Sequence, residues 1–130
     1  MIKVMSVDDS STIRRVIKNS LGQLFNEYEF VEAGCGLEAL EVLKEHPDVG
    51  LMFLDINMPG MNGEQFLTQL RKNPDYNKIK VVMATTEAEK QTVLRMMKIG
   101  ANGYLIKPFN LASIKKAIEP IVSRMGIEIK

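Results

Sequence analysis

A single cysteine, a single histidine and almost no net charge remove whole classes of function from this 130-residue chain before any motif is considered. Cys35 has no second thiol, so an internal disulfide is excluded, and in Ala33-Gly34-Cys35-Gly36 it has neither a CxxC partner nor an evident base, so it reads as a bystander. His46 precedes Pro47 and lacks an acidic or thiol partner at ligand spacing, which makes it an expected exposed helix-cap residue. Seventeen basic against sixteen acidic side chains leave a formal charge of +1, too little field to argue for nucleic acid or an anionic membrane. No apolar run approaches the roughly 20 residues of a membrane span, and no charged n-region followed by an apolar h-region opens the chain. A cytoplasmic protein that recognises partners by shape and local chemistry is the expectation.

What the chain does have is rhythm. Short apolar, β-branched runs alternate with longer amphipathic stretches, the pattern of βα units around a parallel sheet. Five strands are expected at Ile2 to Val7, Glu29 to Ala33, Gly50 to Leu54, Ile79 to Ala84 and Asn102 to Ile106. The third and fourth are nearly continuous in apolar residues, as central strands covered on both faces must be, whereas the second alternates and belongs nearer an edge. The fold class is α/β, a single domain over residues 1–130 with a doubly wound five-stranded parallel sheet.

Five helices fill the gaps. The first follows Ser10 or Ser11 as N-cap with Ile13, Val16, Ile17, Leu21 and Leu24 inward; the second carries Leu37, Leu40 and Leu43 and stops at His46-Pro47. The third runs from Gly63 through Phe66, Leu67 and Leu70 to Asn73-Pro74, and the fourth from about Glu87 to Ile99, holding Val93, Met96 and Met97 ahead of Gly100. The fifth carries Ile114, Ile118 and Ile121, with a kink or late break expected at Pro120, and the Gly126 to Lys130 tail is expected to be loose. Nine methionines are many for this length; core packing accounts for Met5, Met52, Met83, Met96 and Met97, while Met58 and Met61 lie in the loop after Asp55 as either a lip over the site or a partner contact.

The chemistry lies where the strands end. Asp8 and Asp9 close the first run, Asp55 follows the third, Thr85 the fourth and Lys107 the fifth. In a parallel sheet these positions share the carboxyl edge, where such folds place their ligands. Taken singly, an Asp-Asp-Ser-Ser run is often a turn with an N-cap, and an Asp before Ile-Asn-Met-Pro-Gly merely starts a loop. Together they form a cluster of carboxylates that would raise one another's pKa values unless a cation sat among them, which reads as a Mg²⁺ site awaiting a phosphoryl group. Asp55, on the central strand, suits the nucleophile, with Asp8 and Asp9 holding the metal, Thr85 offering a hydroxyl and Lys107 a charge.

Val7-Asp8-Asp9-Ser10, Leu54 to Gly63 (LDINMPGMNG), Ala84-Thr85-Thr86-Glu87-Ala88 and Gly103 to Phe109 (GYLIKPF) resemble the signature segments of two-component receiver domains. The stretch Asp9 to Arg15, with Asn57 and Thr85-Thr86-Glu87, is most similar to the stand-alone chemotaxis members. The resemblance implies a flavodoxin-like sheet of order 2-1-3-4-5. It also implies that Asp55 accepts a phosphoryl group from a chemotaxis-type histidine kinase and that Asp8, Asp9, Asp55 and the Asn57 main-chain carbonyl bind Mg²⁺. Thr85 and Tyr104 would act as a switch, with Lys107 on a phosphate oxygen and a cis Lys107-Pro108 bond. Asn57, Thr86 and Glu87 would tune dephosphorylation, Thr86 by narrowing the water's approach. The implied output is phosphorylation-dependent binding of a monomer to a flagellar motor switch protein, making it a signalling phosphoacceptor and no conventional enzyme.

Other readings weigh less. A phosphorelay intermediate or a surface-motility regulator would keep the chemistry and change the output, and a receiver cut from a longer regulator is argued against weakly by the Met1 start and the Gly-Ile-Glu-Ile-Lys tail. A Mg²⁺-dependent aspartyl phosphatase would place its nucleophile on the first strand with a second acid two residues on, but Asp8 is followed by Asp9 and then Ser10. A flavin module would offer amides and hydroxyls to an anion after the first strand, where this chain has two carboxylates.

Overall fold

The computed structural model describes residues 1–86 and 90–130. Its strands are β1 (Ile2–Val7), β2 (Tyr28–Ala33), β3 (Leu51–Asp55), β4 (Lys80–Thr85) and β5 (Gly103–Ile106); its helices are α1 (Ser11–Leu24), α2 (Gly36–Glu45), α3 (Gly63–Lys72), α4 (Lys90–Ile99) and α5 (Leu111–Arg124). All strand pairs are parallel, in the order β2-β1-β3-β4-β5. The expected class and order are met, with boundaries shifted by a residue. Every residue of β3 is buried, as its unbroken apolar run requires, while β2, at the edge, is mostly only partly covered.

Alternation splits the core into two layers. Ile2 and Val4 of β1, Leu51 and Phe53 of β3, Val82 and Leu105 pack with α1 and α5; Met5, Val7, Met52, Leu54, Val81 and Met83 pack with α2, α3 and α4. Met5, Met52, Met58, Met83 and Met96 all belong to the second layer and no buried methionine to the first. Met58 is therefore a core residue, and Met61 packs beside it against Gly36, where a Cβ would lie 3.0 Å from its sulfur. Arg71, at the end of α3, donates to the carbonyls of Tyr76, Asn77, Ile79 and Gly100 and to Asn102 Oδ1, tying the start of β4 to the end of α4. Burial holds its pKa below the ordinary guanidinium value.

Four expectations are corrected. Leu37 and Met97 point outward, 68% and 41% exposed, because their turns of α2 and α4 bury Ala39, Leu43, Thr92 and Met96 instead. Helix α5 neither breaks nor stops at Pro120 but continues to Arg124. Pro120 and Lys116 both lie on the exposed face, so the carbonyl deprived of its amide is left to water while Ile118 and Val122 stay buried. The tail is docked, not loose: the Ile127 and Lys130 amides bond to Val122 and Leu24, and Ile127 and Ile129 pack on the α1/α5 layer. His46, finally, is a half-buried C-cap whose Nδ1 lies 3.1 Å from Lys3 Nζ.

Candidate functional site

Register brings the strand-end residues together. Val7 pairs with Leu54 and Asp55 with Ala84, so Asp8 and Asp55 leave neighbouring strands side by side, while the Lys107 amide closes on the Thr85 carbonyl at 2.7 Å. Asp8, Asp55 and Thr85 are buried and Asp9 is exposed at the rim. One oxygen from each of the three acids lies within 4.8 Å of the others.

Each carboxylate is held by the local chain. The Ser10 amide donates to Asp8 Oδ1 at 2.9 Å, while the Ser10 hydroxyl accepts from Ile13 and caps α1. The Asn57 amide donates to Asp55 Oδ1 at 3.3 Å. Lys107 Nζ reaches Asp8 Oδ2 at 2.9 Å and Asp55 Oδ1 at 3.2 Å, entering from a cis Lys107–Pro108 peptide. The α3 start packs so closely that a Cβ on Gly63 would fall 2.2 Å from the Asp55 carbonyl oxygen; only glycine fits there. Asn62 and Gln65 close a capping box just above.

Burial is the largest influence on Asp55 and raises its pKa; the charge of Asp8 adds to this and Lys107 opposes it. For Lys107, burial pulls the ammonium down, but the hydrogen bond to Asp8 and the charges of Asp55 and Asp8 outweigh it and the net shift is upward. Two carboxylates thus lean on one ammonium. The donor set consists of hard oxygens, the type Mg²⁺ demands, and it is short of positive charge, so the residues fit a divalent cation.

Of the other expected residues, Thr86 and the Asn57 side chain are exposed beside the site, and Glu87 lies outside the described residues. Tyr104 is 48% exposed on β5, where it pairs with Met83, two residues before Thr85 on the neighbouring strand. Two contributors went unread in the sequence. Gly63 was read as the start of the third helix but not as a residue the site requires, and Arg14, whose guanidinium bonds the Asp8 carbonyl and Glu32, looked like any polar residue of a helix face.

A parallel sheet with three acids, a hydroxyl and a lysine on its carboxyl edge defines a receiver, and the response regulator receiver domain family matches residues 4–119, so the chain belongs to that family. Within it, the chain is similar to chemotaxis proteins: a CheY homologue of Campylobacter jejuni is 38% identical over 121 residues, 93% of this chain and 92% of that protein. CheY1 of Helicobacter pylori is 39% identical across 93% of this chain and 97% of its own length. Among solved structures, CheY4 of Vibrio cholerae superposes with a TM-score of 0.81 at 32% identity, covering 95% of this chain and 98% of that one. Proteins of this kind are signalling proteins and not conventional enzymes. Among the described residues no helix is long and apolar enough to cross a membrane.

Proposed function

We propose that this protein is a chemotaxis response regulator that accepts a phosphoryl group on Asp55 from a histidine kinase and, so modified, binds a flagellar motor switch protein. The observation that carries this reading is the bridge of Lys107 between buried Asp8 and Asp55 inside a cluster able to hold a cation. Asp8, Asp9, Asp55 and the Asn57 carbonyl would hold Mg²⁺, which when bound neutralises the oxygens of the transferring group. An Asp55 carboxylate oxygen attacks phosphorus, the P–N bond to the kinase imidazole breaks, and the imidazole leaves with a proton. Lys107 then pairs with a phosphoryl oxygen and the Thr85 hydroxyl bonds another. Chemotaxis relatives and an exposed apolar patch of Leu94, Met97 and Tyr104 on α4 and β5 support the output. The groove beside Tyr104, about 640 Å³, runs on through Ile106 and Pro108 to Lys116 of α5. Tyr104 is the candidate coupler, turning inward as Thr85 engages the phosphoryl group. Placement in the cytoplasm, as a monomer, goes with this role.

The test is affinity for the N-terminal peptide of a flagellar switch protein, in Mg²⁺, with and without beryllofluoride as stand-in for the phosphoryl group. Tighter binding with beryllofluoride, lost in Asp55→Asn, is expected; no binding in either state, with beryllofluoride uptake confirmed separately, overturns the motor output and leaves the receiver chemistry. On the same reading Thr86→Ala speeds decay of the phosphorylated state by opening the water's path, and an unchanged or slower decay of radiolabel contradicts that role.

A further inference from the structure

The parallel ladder between β1 and β2 ends one step short of the site. The Asp8 amide still donates to the Ala33 carbonyl at 3.1 Å, and the next rung would bring the Cys35 amide to the Asp8 carbonyl. Cys35 has already turned away as the N-cap of α2. In place of that rung stands the guanidinium of Arg14, from the first turn of α1: its Nη1 donates to the Asp8 carbonyl, and its Nε donates to Glu32 Oε1 of β2 at 2.6 Å. The Arg14 side chain is 19% exposed, and its Nη1 lies against Gly34, 3.7 Å from where a Cβ would be. One planar fork therefore joins the main chain beside the Asp8-Asp9 pair to the edge strand and to the β2-α2 loop.

We propose that Arg14 is a positioning residue for the cation site, substituting for the missing ladder rung so that Asp8 and Asp9 are presented in a fixed orientation. The inference rests on the magnesium reading above and adds a residue that no part of that reading uses. Its sign is what makes it decisive. Taken as a charge alone, a guanidinium beside a cation site repels the cation, so its removal would tighten Mg²⁺ binding. Taken as a positioning group, its removal loosens the site, since partners of metal ligands typically contribute about tenfold or more in metal affinity.

Calorimetric titration of Mg²⁺ into the wild type, Arg14→Gln, Arg14→Lys and Arg15→Gln separates the two, with metal-free thermal melts confirming that each variant is folded. Arg15 is exposed and serves as the charge control on the same helical turn. The expected result is a Kd raised about tenfold in Arg14→Gln, a clear loss also in Arg14→Lys, which keeps the charge but not the fork, and no loss in Arg15→Gln. Equal or tighter binding by Arg14→Gln, or full affinity in Arg14→Lys, overturns the inference while leaving the magnesium reading intact. A wild type that takes up no Mg²⁺ overturns that reading and the inference with it.

Discussion

The two ends of the sheet each hold a lysine clasped by two carboxylates, at almost the same distances. At the carboxyl edge Lys107 Nζ lies 2.9 Å from Asp8 and 3.2 Å from Asp55; at the amino edge Lys3 Nζ lies 2.9 Å from Asp48 and 3.3 Å from Glu29. Even the lysines are alike, 15% and 13% exposed. The acids are not: Asp8 and Asp55 are 2% and 5% exposed, Asp48 and Glu29 68% and 52%. Water solvates and screens the amino-edge acids, so their hydrogen bond to Lys3 lowers Asp48 and raises Lys3 with little net consequence. At the carboxyl edge burial has stripped that water away, and Asp55 responds by holding its proton more tightly. A triad of equal geometry is a surface decoration at one end and a site poised for a cation at the other.

Breaking the buried triad should give the largest effect. Lys107→Met leaves two acids buried without their cation and should cost about 3 kcal/mol of metal-free stability at pH 8, read from urea unfolding. The loss should shrink as pH falls and Asp55, whose pKa is raised, takes up a proton, and a cost that does not change with pH would contradict the charge argument.

Asp55→Asn should come next, with the opposite sign. Its folded pKa is raised, so the native state holds the proton longer than the unfolded chain. Stability of the metal-free wild type should fall as pH rises from the unfolded value of about 4 through the raised one. Asp55→Asn removes that slope and should gain about 1 kcal/mol at pH 7. Saturating Mg²⁺ should erase the advantage by stabilising only the wild type. Lys107 contributes with the same sign in a higher window: its folded pKa is also raised, so its share of stability persists through neutral pH and is lost only as pH rises above about 10.5.

The amino edge should give the smallest effect. Lys3→Met is expected to move the melting temperature by about 2 °C or less, and 0.5 M salt should shrink even that. A larger, salt-insensitive shift would mean that the two triads differ less than their exposure implies.

Strand content and the meeting of Asp8, Asp9, Asp55, Thr85 and Lys107 were legible because they follow from apolar patterning and from the rule that parallel strands share a carboxyl edge, whereas the sheet order was legible only through the family resemblance. What escaped depends on contacts distant in sequence. Leu37 and Leu40 look equivalent in a helical pattern, and only the placement of α2 over β2 decides that the first faces water. The docking of Ile127 and Ile129 requires α1 and α5 to be side by side, which no local signal announces. Pro120 was read by the amide it lacks, yet its exposed position decides what that lack costs. Arg14 and Arg71 look like ordinary solvated arginines until the carbonyls they bond, those of Asp8, Gly100 and Ile79 among them, are brought to them by the fold.

The docked tail also governs how the molecule can be attached to anything else. The Lys130 amide bonds to Leu24 at the far end of α1, and Met1 shares a groove with Asp48, Gly50, Met125 and Ile127. Both chain ends therefore emerge at the amino pole of the sheet, one strand length from Asp55. A surface tether or fluorescent reporter joined there lies at the opposite pole from Asp55, so cation uptake can be followed on an immobilised protein without the anchor crowding the site.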